Sequence, residues 1–230
     1  MAASLTRDPA PGIAWQRAKA PIAYEAAVRR MEERVAAILD GTSGPLLWLV
    51  EHPPLITAGT SASYDDLRQP GRFPVHETGR GGRLTYHGPG QRVAYVMLDL
   101  RTRGQDLRRY VHDLEEWLIR TVARFGVEGG RRDGRVGIWV ETGPGGEAKI
   151  AAIGVRVRRW ITFHGVALNV NPALDHFEAI VPCGISEHGV TSLAALGVDA
   201  TMAAVDDALL RTFGEVFGAA PSPEPALDPI

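Results

Sequence analysis

The residues that decide the fold are Lys149-Ile150-Ala151-Ala152-Ile153-Gly154-Val155-Arg156-Val157 and, after a short break, Ile161-Thr162-Phe163-His164-Gly165-Val166-Ala167-Leu168-Asn169-Val170. Both runs are rich in β-branched and apolar residues and free of proline, the composition of paired strands. Successive side chains of a strand point to opposite faces. Ala151, Ile153, Val155 and Val157 therefore share one face, and Ala152 and Gly154 the other. A turn centred on Arg159-Trp160 sets Gly154 opposite Gly165 and Ala152 opposite Ala167. Two small cross-strand pairs leave a groove on that face, fit for an extended acyl chain or for a closely packed helix. The register matters, because a one-residue slip sends one strand's set to the other face. Arg-Trp is not a favoured pair for a two-residue hairpin turn.

Outward from this hairpin the chain alternates strands and helices. Tyr24 to Asp40 repeats Val28, Met31, Val35, Ile38 and Leu39 at helical spacing, with Gly41 after the end. Asp106 is a candidate N-cap for a helix carrying Leu107, Val111, Leu114, Leu118, Val122 and Phe125 inward and stopping at Gly126. Thr201 caps a last helix to Phe217, with Val205, Leu209, Phe213 and Phe217 inward. Ile13–Ala18, Leu46–Glu51, Val93–Asp99 and Val136–Val140 read as further strands, and Leu174–Ile180 as a short helix. Residues 57–83 read as a long loop with short extended pieces, a kind of segment that is commonly functional. The pattern predicts an α+β (mixed α/β) single domain, its mixed and largely antiparallel sheet flanked by helices. Residues 1–12 are expected to be a flexible N-terminus, 13–217 the catalytic domain and 218–230 a disordered tail.

The composition excludes several function classes. At roughly 150 residues per domain, 230 residues make one large domain or two small ones, with a core that needs no metal or disulfide. A net charge of −2 gives no reason to expect nucleic acid or an anionic membrane as partner. Cys183 is the single cysteine, which rules out an internal disulfide and multi-thiolate metal sites. No run approaches the ~18 apolar residues of a membrane span, and no signal core opens the chain, so a reduced, cytoplasmic setting is expected. Only Lys19 and Lys149 among 25 basic residues are lysines. Lys149 is thus the one amine in the body of the chain that could act as a titratable base.

Three blocks could carry chemistry. In Arg80-Gly81-Gly82-Arg83-Leu84-Thr85-Tyr86-His87-Gly88-Pro89-Gly90-Gln91, the last four residues suit a type II turn, and Gly81-Gly82 permits a ligand to approach the backbone. The plain alternative is a polar hairpin loop with a surface histidine. The strand pair above is the second block. The third is Pro182-Cys183-Gly184, a constrained, sterically open loop around a thiol that a nearby cation would activate, with Lys149 and His164 as candidates. A lone cysteine is otherwise a small buried hydrophobe. His52, His76, His112, His176 and His188 are read as surface or structural residues.

Together with Glu51-His52-Pro53-Pro54 and with His164-Gly165 and Asn169, these blocks resemble the lipoyl(octanoyl) transferase family of lipoate biosynthesis, in family order across residues 13 to about 215. The resemblance implies a fold shared with lipoate-protein and biotin protein ligases. It implies transfer of an octanoyl group from octanoyl-acyl carrier protein, through a cysteine thioester, to a lysine of lipoyl domains. Those acceptors are the lipoyl domains of 2-oxoacid dehydrogenase complexes and the glycine cleavage H protein. By the resemblance, Cys183 is the nucleophile and Lys149 the residue that lowers its pKa. Arg80, Gly81, Gly82, Arg83, Leu84, Thr85, Tyr86 and His87 fall on substrate-binding positions, as do Ala152, Ile153 and Gly154 and Gly165, Val166 and Ala167. His164 and Asn169 are possible support. No cofactor and no metal are expected, because a thioester donor arrives activated. The chain departs from the family's pattern at Ala58, where a larger apolar residue is common, and in a slightly extended Thr142–Glu147 segment.

Two rival activities fit the same residues: an ATP-dependent lipoate or biotin ligase of the same fold, and a hydrolase built on Cys183 and His164. A non-catalytic carrier-protein or lipid-binding module is a third reading. Donor and acceptor proteins of this chemistry are expected to be acidic. Three arginine clusters could meet them: Arg101, Arg103, Arg108 and Arg109; Arg131, Arg132 and Arg135; and Arg156, Arg158 and Arg159.

Overall fold

The computed structural model describes residues 12–143, 145–181 and 189–224. The hairpin sits near its centre. β8 (Gly146–Arg158) pairs antiparallel with β9 (Ile161–Asn169), Gly154 facing Gly165 and Ala152 facing Ala167. Arg159 and Trp160 close the turn at φ 49° and 68°. Left-handed backbone at both central positions is what a type I′ two-residue hairpin demands, and it is the conformation that disfavours residues other than Gly or Asn.

Around the hairpin lies an eight-stranded, mostly antiparallel sheet. Its members in chain order are β1 (Ala14–Arg17), β2 (Leu46–Val50), β6 (Gln91–Met97), β7 (Ile138–Gly143), β8, β9, β10 (Gly189–Val190) and β11 (Ser222–Pro223). The order across the sheet is β10-β8-β9-β6-β2-β1-β11, with β7 also on β8. A second sheet of β3 (Leu55–Ala58), β4 (Val75–Glu77) and β5 (Leu84–His87) has β3 in the middle. The expected loop of residues 57–83 contains β4 and the last residues of β3, and the block read as a loop from Arg80 contains β5. β5 carries no alternating apolar pattern because Leu84, Thr85, Tyr86 and His87 are all buried.

Three helices cover the large sheet. α1 (Tyr24–Leu39) packs Ala27, Met31, Val35 and Ile38 on one face, against Trp48, Tyr95 and Phe163. α2 (Leu107–Ala123) and α3 (Met202–Phe217) cover the other, with Leu114, Trp117, Leu118, Leu209 and Phe213 in the core. The Trp117 indole N–H donates to the Leu209 carbonyl at 2.9 Å, joining these two helices. Asp106 and Thr201 cap their N-termini as the sequence predicts, accepting from the Arg109 and Ala204 amides. A buried pair, Arg92 Nε to Asp206 Oδ1 at 2.7 Å, ties α3 to β6.

The tail differs from its expectation. Residues 218–224 are not loose: β11 pairs parallel with β1, and Glu224 accepts from the Arg34 guanidinium at 3.1 Å. A two-residue Ser-Pro strand has no periodicity to read; a partner strand and a distant arginine hold it. Residues 1–11 and 225–230, from the two expected flexible ends, lie outside the described residues. Among the described residues no helix is long and apolar enough to cross a membrane.

The groove depends on close strand approach at Gly165. A Cβ there would stand 2.1 Å from the Ala94 carbonyl oxygen of β6. Gly165→Ala is therefore expected to lower unfolding free energy by about 1–3 kcal/mol through overpacking. Urea denaturation measures it; a midpoint equal to wild type contradicts this packing.

Candidate functional site

A narrow cleft of about 60 Å³ opens where the small sheet faces the β8–β9 pair. One wall is the paired small residues Ala152, Gly154, Gly165 and Ala167, with Ile153, His164 and Val166. The opposite wall comes from Arg80, Gly82, Arg83, Leu84, Thr85 and His87. Tyr24 of α1 and Val93 and Tyr95 of β6 complete it. All three are nearly inaccessible to solvent, whereas Arg83 has its side chain 48% exposed. The cleft is thus open toward Arg83 and closed toward α1 and β6. Its largely apolar lining suits a slender aliphatic group.

Most residues singled out from the sequence meet here. Among the described residues, Gly81, Tyr86, Lys149 and Asn169 do not line the cleft. The Gly81 amide donates to the Val155 carbonyl at 2.9 Å, which joins the loop to the outer edge of β8. Tyr86 points the other way, its hydroxyl 2.7 Å from His176 Nδ1 and its ring against Phe73 and Phe177. Sequence reasoning missed Tyr24, Val93 and Tyr95, which arrive from other elements. No local motif marks them.

Arg80 is buried and spends its donors on the main chain. Its guanidinium donates to the carbonyls of Thr57, Gly81 and Arg83 at 2.7–2.9 Å and to the Thr57 hydroxyl. Gly154 makes room for it, since a Cβ there would touch Arg80 Cδ at 3.0 Å. From Thr57 a chain of hydrogen bonds crosses the molecule. Asn169 Nδ2 donates to the Thr191 carbonyl, so its Oδ1 faces and accepts from Gln91 Nε2 at 3.0 Å. Gln91 Oε1 then accepts from His87 Nδ1–H at 2.7 Å. His87 Nε2, left without a proton, accepts from the Thr57 hydroxyl at 3.3 Å. The direction of every bond follows from the last one. His87 and Gln91 are both buried, contrary to the surface-loop alternative.

The Thr191 amide in turn donates to the Lys149 carbonyl, and Val190 of β10 is the register partner of Lys149. Lys149 lies on β8 three residues before Ala152, 5% exposed. Its Nζ donates to the Val136 carbonyl at 3.1 Å and sits 4.8 Å from the Trp139 ring centre. Pro182-Cys183-Gly184, expected to carry the nucleophile, and His188 lie outside the described residues.

His164 occupies β9 at φ 59°, a left-handed conformation inside a strand. Its ring stacks on that of Phe163 at 5.2 Å and 20°. Successive residues of a regular strand cannot do this, because they face opposite ways. Such local strain concentrates at functional sites. Three imidazoles here stay neutral. Burial pushes His52 down to about 4. Burial, the neighbouring His52 and the Arg80 charge push His87 to about 3. Burial, Arg80 and Arg156 push His164 to about 3. Burial also raises Tyr24 to about 12 and Tyr95 well above its ordinary value, so both keep their hydroxyl protons.

The lipoyl protein ligase A/B catalytic-domain model matches residues 23–214. The chain belongs to this family. The octanoyltransferase of Paramagnetospirillum magneticum is 67% identical over 207 residues, covering 90% of this chain and 98% of the relative. That of Rhodospirillum rubrum is 61% identical over 208 residues, covering 90% and 96%. Among solved structures, the bi-partite lipoate protein ligase of Thermoplasma acidophilum superposes with a TM-score of 0.69 at 16% identity, over 95% of this chain and 88% of that one. At that identity the likeness establishes the shared fold, as the family resemblance implies.

The neutral histidines make stability depend on pH. Unfolded, each imidazole takes up a proton near 6.5; folded, His87 does so only near 3. The unfolded chain therefore binds more protons between those values. Stability is complete above about pH 6.5 and is lost as pH falls toward the folded value. His87→Gln should flatten the slope of unfolding free energy against pH between pH 6 and 4 by about 1.4 kcal/mol per unit. Chemical denaturation across that range reads it, and an unchanged slope contradicts a neutral buried His87.

Proposed function

We propose that this chain is an octanoyltransferase of lipoate biosynthesis that takes its acyl group from octanoyl-acyl carrier protein, holds it as a thioester on Cys183 and passes it to a lysine of lipoyl domains. The observation that carries the reading is the apolar cleft built from the Gly154–Gly165 and Ala152–Ala167 pairs, on the same strand as Lys149. The identity to octanoyltransferases over nearly their whole length supports the choice of acyl group.

In this mechanism the Cys183 thiolate, favoured by the Lys149 ammonium, attacks the thioester carbonyl of the donor. The carrier thiolate leaves and takes a proton from the Lys149 ammonium, which leaves Lys149 as a neutral amine. The octanoyl chain lies in the cleft while its carbonyl is bonded to Cys183. A lipoyl-domain lysine then attacks that carbonyl, Lys149 takes the proton, and Cys183 is released as the amide forms. An amide is more stable than a thioester, so the second step drives the cycle. No further activation is required, because the donor arrives as a thioester. The placement of Lys149 supports its part: its main-chain partners Val190 and Thr191 follow Cys183 by seven and eight residues. A cytoplasmic, reducing setting keeps the thiol available. The acceptors are lipoyl domains of 2-oxoacid dehydrogenase complexes and the glycine cleavage H protein. The lipoate protein ligase of Thermoplasma acidophilum was solved in a study that includes its E2 lipoyl domain.

Charge narrows where acidic partners dock. Arg131 pairs with Glu115 and Glu116, and Arg132 and Arg135 with Glu147. Arg101 pairs with Asp99 and Arg109 with Asp113, while Arg103 donates to the Phe217 carbonyl. Arg156, Arg158 and Arg159 are exposed and form no ion pair among the described residues, so this cluster keeps the most charge for a partner.

Intact-mass analysis after mixing with octanoyl-acyl carrier protein should show one added octanoyl group that peptide mapping assigns to Cys183. Cys183→Ala should form no adduct and transfer nothing. Lys149→Arg keeps the charge but cannot readily release a proton, so turnover should fall by at least about 100-fold, the low end of general acid–base effects. Activity in Cys183→Ala, or AMP release from octanoate and ATP, would instead indicate a ligase. Free octanoate as product would indicate a hydrolase.

A further inference from the structure

His52 stands behind the wall of the cleft rather than in it. It is fully buried, on the residue pair that follows β2. Its Nδ1 lies 2.6 Å from the Ile22 carbonyl, which can only accept, so Nδ1 carries the proton. Its Nε2, 2.6 Å from the Tyr95 hydroxyl, must then accept from that hydroxyl. The same imidazole packs edge-on against Tyr24 at 5.6 Å and His87 at 6.0 Å, and against the Tyr95 ring at 5.8 Å. One side chain thus touches three residues that line the cleft, coming from α1, β5 and β6. Both ring nitrogens are used in a single tautomer, which leaves the ring one orientation. A tyrosine ring fixed at its hydroxyl end cannot swing aside to admit a longer chain.

We propose that Tyr95, held in place by His52, forms the end-stop that sets the length of acyl chain the cleft accepts, His52 acting as a positioning residue and Tyr95 as the specificity determinant. This rests on the acyl-transfer reading of the cleft. Tyr95 contacts the chain; His52 acts only through Tyr95, Tyr24 and His87. The acyl class is the straight saturated chain, because this side of the cleft offers Val93, the Tyr95 ring and no charged terminus of its own.

The test measures kcat/KM for pantetheine thioesters of six to fourteen carbons with a lipoyl-domain acceptor, in wild type and in Tyr95→Phe, Tyr95→Leu, His52→Leu and His52→Gln. Each buried methylene multiplies transfer affinity about fourfold, so two newly admitted methylenes are worth roughly 15-fold. Tyr95→Leu is expected to raise the ratio of twelve- to eight-carbon transfer by about that much. His52→Leu, which frees the Tyr95 hydroxyl, should raise the same ratio although no wall atom is removed. His52→Gln, whose carboxamide still offers one donor and one acceptor, should restore the wild-type ratio. Tyr95→Phe keeps the ring and its packing; it loses only the bond to His52 and should broaden the profile toward ten carbons. It keeps the question open to measurement if the leucine variants melt below assay temperature.

An unchanged chain-length profile in Tyr95→Phe and His52→Leu, with transfer still measurable, overturns the proposal. So does an equal fall in kcat/KM at every chain length, which is what a merely structural role produces. If wild type transfers no acyl group from any thioester, the acyl-transfer reading itself fails.

Discussion

The buried guanidinium of Arg80 constrains everything near the cleft. A charged side chain taken out of water must find hydrogen-bond acceptors, or the fold loses the energy of its solvation. Arg80 finds them in the carbonyls of Thr57, Gly81 and Arg83 and in the Thr57 hydroxyl. That commits the loop to one shape, and it makes the Thr57 hydroxyl a donor toward His87. From there each polar group has one remaining role, through Gln91 and Asn169 to the main chain at Thr191. Five elements or their flanking residues are joined by a single directed chain, and none of its side chains is charged beyond Arg80.

This arrangement explains how polar residues can border an apolar pocket. Histidines, glutamine and asparagine at the back of the cleft are satisfied by one another, so they present little unspent hydrogen-bonding capacity to a bound aliphatic group. Their neutrality follows from burial reinforced by the Arg80 charge. The same chain ends on Thr191, whose amide bonds the Lys149 carbonyl. The shape of the cleft and the position of the amine are therefore set by one network, which a substitution at either end would disturb.

The hairpin shows a second balance between local preference and tertiary demand. Arg159, Trp160 and His164 adopt left-handed backbone that Gly or Asn would take more easily. The turn is held by the Leu100 amide bonding the Trp160 carbonyl at 2.8 Å, and His164 by stacking on Phe163 and by its place in a buried strand. Local propensity loses here because eight paired positions of β8 and β9 outweigh it.

The amino-acid sequence by itself determined the helices, their caps at Asp106 and Thr201, and the facing small pairs of the central hairpin. Those features are periodic or local, and a period of 3.6 or 2 is visible without knowing the partner. The type II turn was equally legible: Gln91 N–H bonds the Gly88 carbonyl and Gly90 has φ 83°. Only the tertiary structure decided that Tyr24, Val93 and Tyr95 close the cleft, that His52 is buried behind them, and that Ser222–Pro223 joins the sheet. Tyr24 and Tyr95 sit at ordinary core positions of α1 and β6, so nothing in their neighbours distinguishes them from packing residues. His52 follows a strand and precedes two prolines, a context equally suited to a surface turn. What places it inside is the simultaneous arrival of the Ile22 carbonyl and the Tyr95 hydroxyl, 30 and 43 residues away in the chain. Contacts of that separation depend on how sheets and helices stack, and a linear pattern does not encode them.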